Sequence, residues 1–203
     1  FEQCKSLLLA GKNIIVDKPC TVTCEEANQL KMLSLELGLL FSVFHNRRWD
    51  SDFLTILDLQ NKNSLGRMSY FESRFDKYRP EKSTKWKDSN VPGGGILYDL
   101  FPHLADQAFQ LFGYPQFVSA SVAIQRKTSD VCDYFNIKLI YPELEVVLRA
   151  SSLAAHSPFR FYVEGDKGTF IKQHLDIQES KLSNEVLNYE EWITEPIENS
   201  GTL

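Results

Sequence analysis

The chain has 203 residues, 43% hydrophobic and 24% charged, enough for one packed core or for one domain and part of another. Its formal charge of −5 argues against nucleic acid as a partner. No apolar run approaches the roughly 18–20 residues that span a bilayer, and the opening Phe1-Glu2-Gln3-Cys4-Lys5 lacks a signal-peptide pattern, so no membrane partner is expected.

Residues 1–10 have helical spacing, and Gly11 stands where a helix-ending glycine belongs. Asn13-Ile14-Ile15-Val16 reads as a short buried strand ended by Asp17-Lys18-Pro19. Thr23 with Glu26 forms a capping-box pattern, predicting a helix from there to Gly38. Residues 39–44 are the next strand, completing a helix–strand–helix–strand run of the doubly wound kind.

The pattern then changes. A helix is predicted over 51–60 and a strand over 67–76. A long polar stretch over 77–95 ends in Gly93-Gly94-Gly95, and a helix follows over 97–112. Further strands are predicted at 117–125, 133–141, 144–152, 160–164 and 169–172, joined by short turns as in a largely antiparallel sheet. Beyond Leu175 the sequence is acidic and irregular.

The cysteines, Cys4, Cys20, Cys24 and Cys132, lack a second pair at zinc-finger spacing. They read as reduced thiols, which with the missing leader suggests a cytoplasmic protein. A complete dinucleotide fold opens with strand, Gly-x-Gly-x-x-Gly and helix, whose amides hold a pyrophosphate. That motif does not occur, and Gly93-Gly94-Gly95 has the wrong spacing and follows a polar loop. The chain therefore reads either as a fragment or as a protein with only the last part of a nucleotide-binding domain.

Two blocks carry a specific likeness. The run Ala10-Gly11-Lys12-Asn13-Ile14-Ile15-Val16-Asp17-Lys18-Pro19 and the run Gly94-Gly95-Ile96-Leu97-Tyr98-Asp99-Leu100-Phe101-Pro102-His103-Leu104-Ala105-Asp106 occur in that order. Together they resemble the Ala-Gly-Lys…Glu-Lys-Pro and Gly-Gly-x-x-x-Asp-x-Gly-x-His-x-x-Asp signatures of the Gfo/Idh/MocA oxidoreductase family. The stretches 42–50 and 78–81 resemble the subgroup that contains NADP-dependent scyllo-inositol dehydrogenases. The likeness covers nearly the whole chain to about Glu179. It implies an α/β (α+β) architecture. Residues 1–45 would be the last part of a Rossmann domain. Residues 46–203 would form a mixed, mostly antiparallel open-faced sheet with helices on one face, binding substrate and pairing subunits.

The resemblance also implies hydride transfer between NAD or NADP, with NADP slightly favoured, and a hydroxyl of a cyclic polyol or sugar. Oxidising a secondary alcohol needs a base for the hydroxyl proton and an acceptor for the hydride. Lys18 ends a strand, where open α/β sheets bind ligands, and its ammonium can stabilise developing alkoxide charge. His103 can take a proton near neutral pH. Asp99, four residues earlier, shares a helical face with it, and Asp106 continues that face. Lys18, Asp99 and His103 are the candidate catalytic residues. Asp17, Lys18, Pro19, Asn46 and Trp86 are candidate cofactor contacts, and Asn46, Arg47, Asp99 and His103 candidate substrate contacts. Tyr78 and Arg79 are weaker candidates for the sugar pocket. Asp99, His103 and Asp106 have a spacing conceivable for a metal, but none is expected, because the nicotinamide supplies the chemistry.

Two positions depart from the family pattern. Asp17 replaces the usual Glu, and Phe101-Pro102 replaces a pair containing Gly. Phe101 is expected to narrow the pocket or to change the substrate, and Pro102 to set the helix start, pulling Asp99 off ideal geometry. Other readings stay open: a non-catalytic dinucleotide- or partner-binding regulator, a glycosidase that uses nicotinamide transiently, or a chain inactive without its glycine-rich cofactor loop. A broad apolar open sheet face is expected, covered by a second copy in a homodimer.

Overall fold

The computed structural model describes residues 1–175 and 201–203, so the acidic stretch beyond Leu175 lies almost wholly outside the described residues. Helix α1 (Glu2–Leu9) precedes strand β1 (Ile14–Asp17), helix α2 (Cys24–Glu36) and strand β2 (Phe41–Phe44). β1 and β2 pair in parallel, with Ile14 opposite Phe41 and Asp17 opposite Phe44. The capping box forms as read: the Glu26 amide donates to the Thr23 hydroxyl at 3.2 Å, and the Thr23 amide donates to the Glu26 carboxylate at 3.2 Å. Cys4, Leu8, Ile14 and Leu30 make a small core between the two helices and this sheet.

A 3₁₀ turn (Asn46–Trp49) leads to α3 (Ser51–Asn61), β3 (Met68–Arg74), a second 3₁₀ turn (Trp86–Asp88) and α4 (Ile96–Phe112). Strands β4 (Phe117–Ala123), β5 (Tyr134–Ile140), β6 (Glu145–Ser151), β7 (Phe161–Gly165) and β8 (Gly168–Lys172) complete the larger sheet. Its order is β4-β5-β6-β3-β7-β8. In this sheet only β3 and β6 run parallel; the other neighbours are antiparallel, the mixed sheet that the family resemblance implies. Alternation places Phe71, Val146, Leu148, Ile137, Leu139 and Val163 on the face beneath α3 and α4. There they meet Phe53, Ile56, Leu104 and Ala108, with Phe71 edge-on to Phe112 at 5.4 Å.

The open face departs from the expectation of a broad apolar surface. The outward positions of the same strands carry charge: Tyr70 and Arg74 both donate to the Glu72 carboxylate, at 2.7 and 2.6 Å. Lys138 pairs with Glu145 at 3.0 Å, and Tyr162 donates to Glu164 at 2.8 Å. The apolar residues of β3, β5, β6 and β7 serve mainly the helix-covered core, and outside them polar contacts remain within β3, within β7 and between β5 and β6.

Gly94 and Gly95 are required by close approach of the backbone. A Cβ on Gly94 would stand 2.3 Å from the Ser89 carbonyl oxygen, and one on Gly95 2.9 Å from that of Cys132. Their amides donate to Val91 and Lys87 carbonyls at 2.8 and 2.7 Å. Gly95 thereby caps α4, so the helix begins at Ile96, and Pro102 lies inside it rather than at its start. The loss of an amide at Pro102 does not end the helix, and Asp99 and His103 keep their four-residue relation on one face.

Candidate active site

A cleft of about 340 Å³ lies where the C-terminal ends of β1 and β2 meet the first turns of α4 and the loop over 77–88. Its walls include Asp17, Lys18, Asn46, Arg47, Arg79, Asp99 and His103, so seven of the candidate site residues come together. Pro19, joined to Lys18 by a cis peptide bond, faces a separate apolar recess with Tyr98 and Phe101. Trp86 is 58% exposed and does not line the cleft; its neighbour Lys87 does. Tyr78 is likewise exposed outside it, whereas Arg79 lines it.

Lys18 is carried to the cleft by the end of β1, and its side chain is 9% exposed. Its ammonium donates to Asp99 Oδ1 at 2.9 Å and to the Asp99 backbone carbonyl. Lys87 Nζ reaches the same Oδ1 at 2.5 Å. Burial alone raises the Asp99 carboxyl, but the two ammonium groups win and hold it below the ordinary carboxylate value.

His103 is 6% exposed, and its Nδ1 is buried with no hydrogen-bond partner among the described residues. Burial, reinforced by the charges of Lys18 and Arg47 and opposed by Asp99, pushes its pKa down to about 3. Burial thus favours the neutral imidazole, the form in which His103 can accept a proton. It is an acceptor that charges only when a proton is delivered to it during a reaction.

Asp106 does not join this group. It lies one turn further along α4 and forms a two-pronged pair with Arg48, at 2.7 and 2.5 Å. Gln107 donates to the Arg47 carbonyl at 2.8 Å and accepts from Arg160 at 3.1 Å. These contacts bolt the turn after β2 onto α4 and so fix Asn46 and Arg47 at the cleft. Arg47 itself pairs with Asp50 at 3.0 Å. Among the described residues no cluster of three His, Cys, Asp or Glu side chains is arranged to hold a metal.

Phe101 also departs from its expected role. Its ring packs edge-on against Phe135 at 5.8 Å and lines the apolar recess rather than the cleft. It fills the space between α4 and β5 and does not narrow the cleft.

Three cleft residues escape the sequence reading. Lys77 lies 5.8 Å over the Phe75 ring, Lys85 stands in the polar loop, and Arg126 is 4% exposed. Arg126 pairs with Asp88 at 2.9 Å and Asp133 at 3.0 Å. The density of basic residues over 77–87 is the signal that points to the first two. Nothing in the strand-end sequence Gln125-Arg126-Lys127 marks Arg126.

A βαβ end joined to a mixed open-faced sheet, with a Lys–Asp–His cleft at the join, defines an α/β architecture with its candidate site between the two sheets. Residues 53–171 match the family model described as GFO/IDH/MocA C-terminal domain. The uncharacterized oxidoreductase YdgJ of Escherichia coli is 46% identical over 193 residues, which are 95% of this chain and 56% of that protein. The protein named scyllo-inositol 2-dehydrogenase (NADP(+)) IolW of Bacillus subtilis is 38% identical over 182 residues, 90% of this chain and 51% of that one. The solved structure of the putative oxidoreductase yvaA from Bacillus subtilis is 36% identical with a TM-score of 0.90, covering 98% of this chain and 56% of that one. The chain belongs to the Gfo/Idh/MocA oxidoreductase family. It spans about half the length of the curated relatives it matches.

Proposed function

We propose that this chain provides the substrate cleft and the proton-handling groups of an NAD(P)-dependent dehydrogenase acting on a hydroxyl of a cyclic polyol or sugar. The observation that carries the reading is the buried His103 beside the Lys18–Asp99 pair in one cleft at the strand ends. Of the residues here, Asp17, Lys18 and Asn46 fit the nicotinamide end, since they border the cleft at the carboxyl ends of β1 and β2. Ile15 and Phe44, 69% and 50% exposed on that parallel pair, are placed for cover by further structure on this side.

The bound nicotinamide supplies the hydride acceptor. Lys18 donates a hydrogen bond to the reacting hydroxyl oxygen and favours the negative charge that grows there as the hydride leaves. His103 accepts the hydroxyl proton, and Asp99 favours the imidazolium so formed. Lys87 keeps Asp99 in place from the other side. IolW carries NADP(+) in its name, and that supports NADP for this chain over NAD. We further propose a homodimer formed through the open sheet face, whose mixed charges can meet themselves about a two-fold axis. Hydride transfer from a panel of polyols, followed by nicotinamide absorbance in the full-length protein, tests the reading. Absence of transfer to either cofactor overturns it.

A further inference from the structure

The cleft has a charge that the chain as a whole does not. Seven of its lining side chains are Lys or Arg and three are Asp, an excess of four positive charges. The whole chain carries −5. A neutral polyol needs hydrogen-bond donors and acceptors in balance, and a cationic concavity of this strength is not required to hold one.

The cations divide by what they already hold. Lys18 and Lys87 share Asp99, Arg47 has Asp50, Lys77 lies over the Phe75 ring, and Arg126 is wrapped by Asp88 and Asp133. Arg79 and Lys85 are different. Both are exposed at the cleft wall, and neither has a carboxylate partner among the described residues.

Their placement is also fixed from behind. The Arg79 amide donates to the Ser152 carbonyl at 2.7 Å, and Tyr78 makes a bridge to Leu153, stitching this segment to the end of β6. Arg126 Nη1 donates to the carbonyls of Arg79 and Glu81 at 3.4 and 3.2 Å. Ser83 donates to Asp88, Asp88 accepts from Arg126, and the Lys85 amide donates to the Ser83 hydroxyl at 3.3 Å. The nearly buried Arg126 thus pins the loop that presents both free cations, so little order has to be gained when a ligand arrives.

We propose that the substrate of this cleft carries an anionic group, a carboxylate or a phosphate ester, which Arg79 and Lys85 hold while its reacting hydroxyl lies at Lys18 and His103. The inference rests on the dehydrogenase reading for the hydroxyl end only. The guanidinium of Arg79 offers a paired fork to either oxyanion, and Lys85 adds a point charge. An anion here also offsets the positive field of Lys18 and Arg47 on the imidazole, which favours proton transfer to His103.

The test compares a hexuronate, a hexose phosphate and the parent neutral hexose as substrates of the full-length protein, with the variant Arg79→Gln/Lys85→Gln beside it. The expected result is a KM for one anionic sugar at least roughly ten-fold below that of the neutral sugar. Added salt raises that KM, and the double variant collapses the preference mainly through KM rather than kcat. Which anionic sugar wins separates carboxylate from phosphate. Turnover of the neutral sugar with an equal or lower KM overturns the inference while leaving the dehydrogenase reading intact. If neither these sugars nor the polyol panel is turned over, the dehydrogenase reading falls, and calorimetric titration of the same three sugars decides the cleft alone. Heat from an anionic sugar that the double variant loses supports an anion site, and its absence overturns one.

Discussion

Lys18 and Asp99 are 81 residues apart in the chain and 2.9 Å apart in space, and their contact joins the end of β1 to the first turn of α4. The pair leaves one charge too many on the carboxylate, because Lys87 holds the same oxygen. That redundancy separates catalysis from stability.

Lys18→Ala in the full-length protein is expected to lower kcat by roughly 10²–10⁴ through loss of charge stabilisation at the reacting oxygen. Asp99 keeps Lys87 in this variant, so unfolding free energy is expected to change by no more than about 1 kcal/mol. Turnover and denaturant unfolding measured on the same preparation check both halves. Near-normal turnover, or collapse of the fold, contradicts the assignment.

His103 gives a pH signature. Its folded pKa, about 3, lies below the ordinary 6.5, so the unfolded chain binds a proton over a range where the folded chain does not. Its contribution is fully present above pH 6.5 and is lost as pH falls toward 3. At pH 5 the loss is about 2 kcal/mol relative to neutral pH. His103→Gln should flatten the slope of unfolding free energy between pH 7 and pH 5, roughly by that amount. An unchanged slope would show that the imidazole is not held neutral. In the wild-type protein the acid limb of kcat/KM should not fall near pH 6.5 on account of this group.

Phe101 tests the correction to the sequence reading. Since its ring packs on Phe135 and not into the cleft, Phe101→Gly should cost stability without widening the site. The partly buried ring puts the loss at about 2 kcal/mol or more, short of the 3–5 of a fully buried Phe, and Gly inside a helix adds roughly 1. A variant of undiminished stability with a broadened substrate range would reverse this placement.

Much of the fold was legible because its signals are local. The capping box at Thr23, the β-branched run ending at Val16 and the alternation in β3 each report on their own segment. The register β4-β5-β6-β3-β7-β8, with β3 inserted beside β6 from far away in sequence, is set by the shared core under α3 and α4 and leaves no local mark. The site divides in the same way. Lys18, Asp99 and His103 sit in motifs, so the sequence singles them out. Arg126 reaches the cleft loop only through the turn of a long strand hairpin, and its partners Asp88 and Asp133 are chosen by tertiary packing. The direction of Phe101 depends on the rotation of α4 around its axis, which Gly95 and its contact with Cys132 fix.

The open sheet face yields a prediction about assembly. Glu72, Arg74, Lys138, Glu145 and Glu164 lie on it with both signs interspersed, so a second copy can match them. A dimer is expected in sedimentation at roughly tens of micromolar, weakening as ionic strength rises. A monomer under those conditions contradicts the proposed assembly. A dimer indifferent to salt would place the contact on apolar surface instead, such as Phe117 at the sheet edge.

The last expectation concerns the 203-residue chain itself: it should bind NAD or NADP weakly or not at all. A dinucleotide is held chiefly by amides at a glycine-rich turn and a helix N-terminus, which meet its pyrophosphate. The corresponding groups here are already engaged. The first turn of α2 is capped by Thr23, and the Ile96 amide that opens α4 donates to the Cys132 carbonyl at 2.9 Å. Gly94 and Gly95 spend their amides on Val91 and Lys87. What remains is the nicotinamide end, around Asp17, Lys18 and Asn46. Contacts at one end alone do not offset the cost of fixing a flexible molecule, on the order of 4–15 kcal/mol. Calorimetric titration should therefore give no saturable heat at sub-millimolar cofactor. Micromolar affinity would mean that this chain holds a phosphate site of its own. The cationic cleft would then be the first place to look, with Arg79→Gln/Lys85→Gln as the variant that tells a cofactor phosphate from a substrate anion.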